Sequence, residues 1–173
     1  MHKQVVGQTG RVVLAQFEQD EDLMEGIHRV IKEQGLRTGW IASITGALQA
    51  ARIRRYPSIA DDTEKLETAA VDVPGPIEAS GHGIFGVVDA PEMGDKPFTK
   101  SKLLHGEPYV HVHLTVSNAT ETISGHLVRG GNLVKSIHPV SHFTVFIVEV
   151  VGAELQVRAE GDRAFHELVQ VAG

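Results

Sequence analysis

The sequence predicts an α+β fold, a mainly antiparallel twisted sheet of about seven to eight strands flanked by one main helix. Three observations carry this. Short segments of strand character follow one another through turn residues. Only one stretch has a clear helical period. No strand–helix–strand alternation recurs of the kind that builds a parallel sheet. With 173 residues, and without a repeat or long linker, the chain reads as a single domain over 1–173 with its core at about 12–151.

The elements follow in order. "RVVLAQF" (11–17) alternates loosely and opens the sheet. "DEDLMEGIHRVIKEQG" is the helix, with Asp20 as expected N-cap, acids in the first turn and Gly35 as stop. Leu23, Met24, Ile27, Val30 and Ile31 form its core stripe, and His28 falls beside the stripe, toward the surface. "GWIASITGAL" and "ARIRRY" read as two strands around a bend at Gly46 to Gln49. "TAAVDV" (68–73) reads as another, ended by "PGP". "IEASGHGIFGVV" (77–88) is a glycine-rich strand, a pattern of bulges or close backbone approach; in "GHG" a bulge is expected. Residues 89–107 lack periodicity and form a long loop, the kind that often carries function. Strands follow at 109–117, 122–128, 143–151 and "AELQVRAE". The tail "DRAFHELVQVAG" is a short helix or extended.

Composition narrows the function classes. There is no cysteine, so thiolate ligands, thiol nucleophiles and disulfides are excluded. No apolar run reaches a membrane span, and "MHKQVVGQTG" lacks an apolar signal core, so a cytoplasmic protein is expected. A net charge of −6 works against autonomous binding of phosphate backbones. "ARIRRY" runs against that balance. Arg52 and Arg54 share one strand face, Arg55 takes the other, and a solvated edge strand is the plainer reading.

Histidine is the outlier. The chain has ten, seven of them between His82 and His142. In "YVHVHLTVSNATETISGHLV", His111 and His113 are two apart on a strand and so share a face. "SNATE" is turn chemistry, and an even loop pairs Ser117 with Thr122, Thr115 with Ser124, and His113 with His126. His111 is then diagonal to His126, within reach of a common ion. The opposite face carries Val110, Val112, Leu114, Val116, Ile123 and Leu127, a core face that a one-residue slip would exchange for the histidines. Three imidazoles with an open position suit Zn²⁺ best, with Ni²⁺, Fe²⁺ or Cu²⁺ as alternatives. Water, Glu78, His105, His138 or His142 is the candidate fourth ligand, and Thr115 and Ser124 are candidate walls of the site. Such an ion can make hydroxide for chemistry on a small polar ligand, or can simply hold a structure together.

The hairpin resembles the plants-and-prokaryotes-conserved (PPC) domain, which follows the AT-hook in plant nuclear proteins. The resemblance rests on His111-x-His113, then Gly125-His126-Leu127 and Gly130 or Gly131, within a stretch from about Val12 to Val151. It implies an antiparallel sheet flanked by a helix, a homotrimer, and a His-cluster metal site near the subunit interface. It also implies the role for which bacterial members are labelled, a DNA-binding or transcription-associated regulator. The chain departs from the plant pattern in lacking the AT-hook core. Where plant members carry Gly-Arg-Phe-Glu-Ile-Leu for transcription-factor contacts, it has "GPIEAS", which argues against that contact. The loop at 89–107 and "SIHPVSH" are longer than the family's pattern.

Overall fold

The computed structural model describes residues 3–56, 69–99, 101–137, 140–161 and 163–172. Its strands are β1 (Gln8–Phe17), β2 (Gly39–Arg55), β3 (Ala69–Val88), β4 (Pro108–Ser117), β5 (Thr122–Leu127), β6 (Leu133–Lys135), β7 (Phe143–Val151), β8 (Ala153–Glu160) and β9 (Arg163–Gln170). One helix, α1 (Leu23–Glu33), follows β1. All nine strands join one sheet. Every pairing is antiparallel except a short parallel contact of β3 with β8 at Val87↔Gln156 and Val88↔Val157. This is the expected α+β class.

Two strands are longer than expected. The bend at Gly46 to Gln49 does not end a strand: β2 runs through it for 17 residues, and an irregularity in its pairing between Leu48 and Ala50 absorbs the bend. Likewise β3 runs through "PGP" for 20 residues, with a cis bond at Gly75–Pro76; Thr68, the first residue of "TAAVDV", lies outside the described residues. Continuous pairing of β2 with β3 explains both, since each irregular stretch has a partner strand beside it. The tail is extended, as β9, because β8 offers it a full antiparallel edge from Ala153↔Gln170 to Glu160↔Arg163. The three-residue strand β6 is too short to leave a periodic signal.

The length of β2 has a topological consequence. Its first half pairs with β7 and its far end with β5, at Ile53↔Leu127 and Arg54↔His126. With β2–β3, β3–β4 and β4–β5 this closes a circuit of four strands. Gly125 permits the closure: a Cβ there would meet the Arg54 carbonyl oxygen at 2.5 Å. In "GHG", Gly81 and Gly83 pair without a bulge with Leu114 and Val112. The extra residue lies on β2, where the pairing jumps from Ile41↔Gly83 to Ile44↔Gly81. The expected bulge thus belongs to the neighbouring strand.

The helix covers one face of the sheet. Leu23, Met24, Ile27 and Ile31 are buried with Phe17, Ile41, Val112, Leu114 and Phe143 in the main core. Full burial of such side chains contributes about 1.5–3 kcal/mol each. The N-cap is Asp22, not Asp20. The Asp22 backbone is extended and its Oδ1 accepts from the Met24 and Glu25 amides, whereas Asp20 has φ 71° in the preceding turn. Asp22 Oδ2 also accepts from the Asn132 amide. Asn132, 0% exposed, accepts at its side-chain oxygen from the Arg52 amide and donates to the Val128 carbonyl. One buried asparagine, through its backbone N–H and its side-chain amide, therefore ties α1, β2 and the segment after β5 together.

The loop at 89–107 is folded onto the protein. It contains a 3-10 turn at Pro91–Met93 and a bridge between Phe98 and Leu103, and it buries Phe98 with Val88, Ala90 and Val157.

His28 is half-buried rather than surface-exposed, and Nη2 of Arg129 lies 3.1 Å from its Nδ1. Burial, then the charge of Arg129, pushes its pKa down to about 4. Its cation is thus disfavoured in the folded state while the unfolded chain protonates near pH 6.5. Stability should be at its full value above pH 6.5 and fall as pH drops from there toward 4, by about 1–3 kcal/mol from this group. Urea denaturation across that range should show the decline, and His28→Gln should flatten it. An unchanged slope in the variant would contradict the assignment.

Candidate metal centre

The chemistry begins with the register of β4 and β5. His113 faces His126, Thr115 faces Ser124 and Ser117 faces Thr122, as the alternation predicts. The loop has four residues, 118–121. Asn118 Oδ1 accepts from the Thr120 and Glu121 amides and so builds the turn from its own side chain. Behind the histidines, Val112, Leu114, Val116, Ile123 and Leu127 are buried. Each apolar side chain in the core holds its neighbour on the opposite face.

The three imidazoles converge. His111 Nε2 and His113 Nε2 are 3.2 Å apart, and one ligand nitrogen from each of His111, His113 and His126 lies within 4.8 Å of the others. Two nitrogens bound to one tetrahedral zinc at about 2.0–2.1 Å would themselves be about 3.3–3.4 Å apart. Ring centroids are 4.5 Å apart for His113 and His126 and 4.8 Å for His111 and His126. Burial, then the neighbouring histidines, lowers the pKa of His111; burial, then His113 and Arg54, lowers that of His126. Both shifts favour the neutral imidazole, the form that binds metal.

Tyr109 is the polar neighbour of His111. Its hydroxyl is 3.4 Å from His111 Nδ1, on the ring edge away from the converging Nε2 atoms. A partner on the second nitrogen orients a ligating imidazole. Burial raises the Tyr109 pKa, so the phenol keeps its proton. The Tyr109 ring also meets that of His166 at 4.8 Å.

Of the remaining candidates, Thr115 and Ser124 join their hydroxyls at 2.5 Å one row beyond His113 and His126. Glu78 is on the same sheet face but opposite Ser117, four residues along from His113, which separates it from the cluster by about 13 Å. His105 Nδ1 accepts from the Ala90 amide and pins the loop. His142 sits with Gln16, Gln19 and Ser136, at the other end of the sheet's first strand. His138 lies outside the described residues. Among the described residues, the group that can hold an ion is the three histidines alone.

Sequence reasoning passed over three neighbours. His82 stands directly opposite His113 on β3, and Arg54 directly opposite His126 on β2. Both pairings join distant parts of the chain, and no local spacing announces them. Tyr109 carries a local signal, since it precedes His111 by two and shares its face.

Solved structures of other proteins share the fold. No curated protein sequence matches the chain. A plant- and prokaryote-conserved (PPC) protein from Pyrococcus horikoshii has a similar fold, with a TM-score of 0.69 and 21% identity over 98% of this chain and 100% of that one. A metal-containing protein from Archaeoglobus fulgidus gives 0.67 and 20%, again over 98% and 100%. A protein from Bacteroides thetaiotaomicron, named a "putative DNA binding protein", gives 0.61 and 13% over 95% and 97%. The sequence pattern of the Plants and Prokaryotes Conserved (PCC) domain matches residues 4–151, and the chain belongs to that family.

Proposed function

We propose that this PCC-domain chain binds one divalent ion, zinc by its donor set, through His111, His113 and His126. The observation that carries the reading is the 3.2 Å approach of two Nε2 atoms, with the third imidazole in reach. Three neutral nitrogen donors fit zinc, and the lack of a nearby carboxylate among the described residues leaves a coordination position for water or a small polar ligand. Elemental analysis should find about one ion per chain. His113→Ala should lose most of it and melt several degrees lower than the metal-loaded parent. Parent protein without metal would remove the reading.

The second part of the proposal is a homotrimer with this site near the interface. In support, a row of directly paired residues crosses five strands on the face opposite the helix: Val12, Val148, Trp40, Ile84 and His111. Val12 is 55% exposed, Trp40 38% and Ile84 44%, an apolar surface that leads to the histidines and suits contact with another copy. Sedimentation should report three chains in the parent and a smaller species for Trp40→Glu. A parent that sediments as a monomer would contradict this part.

DNA association is a second reading, favoured by the name of the Bacteroides neighbour and by the exposed Arg54 and Arg55. It predicts a gel shift with duplex DNA that weakens steeply with salt. No shift at low salt would end it, the outcome that the net charge of −6 favours.

A further inference from the structure

A cleft of about 680 Å³ opens beside the histidines, between α1, the segment 101–108 and the β4–β5 hairpin. Its size falls within the usual range for small-molecule sites. His111 and His126 form part of its wall, so one space is shared with the candidate ion.

The charge of the lining is opposite to that of the protein. Arg52, Arg54, Lys102 and Arg129 border the cleft against one carboxylate, Glu107, in a chain of net charge −6. Most of these charges are occupied. Arg52 pairs with Asp72 at 2.9 Å, Arg129 with Glu25 at 3.7 Å, and Glu107 with Lys32 at 2.8 Å. Arg54 and Lys102 have no ion-pair partner among the described residues. Arg54 is the one that stands opposite His126 in register. Arg54, unpaired among the described residues, thus stands beside the histidine cluster, and the planar fork of a guanidinium matches a carboxylate. The rest of the wall is apolar, with Leu103, Leu104, Val110 and Leu127.

We infer that the cleft binds a small organic carboxylate, with the carboxylate on Arg54 beside the histidine site and the apolar body against Leu103, Leu104 and Leu127. The inference extends the metal reading by naming the class of ligand that would share the site, yet the Arg54 contact needs no ion. Inorganic phosphate is the competing anion of the same charge sign.

Calorimetric titration with isovalerate, isovaleramide and inorganic phosphate tests this, on zinc-loaded and on chelator-treated protein. Isovalerate should bind both forms. Isovaleramide, which has the same shape without the charge, should not. Arg54→Gln, an exposed substitution, should keep the parent's melting temperature and metal content while weakening isovalerate by about tenfold or more. Equal binding of the amide, isovalerate binding unaffected by Arg54→Gln, or no isovalerate binding to either form would each overturn the proposal. Phosphate binding through Arg54 without isovalerate binding would overturn the carboxylate assignment. A protein that holds no metal yet binds isovalerate through Arg54 would refute the metal reading and sustain this one.

Discussion

The β4–β5 register is the constraint on which the site depends. Val112, Leu114, Val116, Ile123 and Leu127 alternate along the hairpin and are buried, so the pairing cannot slip by one without placing His111, His113 and His126 in the core and Val112, Leu114 and Leu127 in water. Burying unpaired imidazoles and exposing that apolar surface would both cost free energy. The histidines therefore gain their common face from the hydrophobic effect acting on their neighbours. No interaction of the imidazoles themselves is needed to place them.

The environment of the site is set by a second constraint, the closure of β5 back onto β2. It brings Arg54 against His126 and depends on the missing side chain at Gly125. Asn132 holds the neighbouring chain in place by side-chain bonds to Arg52 and Val128, and Asp22 fastens the start of α1 to the backbone N–H of the same residue. Helix, long strand and hairpin thus meet at one buried polar junction, and the cleft lies between them. That arrangement joins an apolar wall and a guanidinium to an imidazole cluster, three features drawn from distant parts of the sequence.

Much of the fold was legible because it rests on local periodicity. The helix stripe, the apolar run at 143–151 and the alternation of 110–116 each report their own burial. The histidine pairing was legible for the same reason, since a tight turn fixes which residues of a hairpin face each other. What escaped was non-local. The continuity of β2 and β3 through Gly46 and Pro76 follows from their pairing with each other, and the strand at 163–170 from the open edge of β8. The cap is Asp22 rather than Asp20 because Asp22 Oδ1 takes the Met24 and Glu25 amides, while Asn132, more than a hundred residues later, engages its second carboxylate oxygen. Arg54 and His82 became neighbours of the site only through strand order.

Three imidazoles presented by one hairpin are proposed to hold a single ion. Anomalous diffraction at the zinc edge, on crystals grown with the metal, tests it most directly. One strong peak is expected about 2.0–2.1 Å from a nitrogen of each of His111, His113 and His126. A peak elsewhere, such as beside His142, or no peak in metal-supplemented crystals, would contradict it.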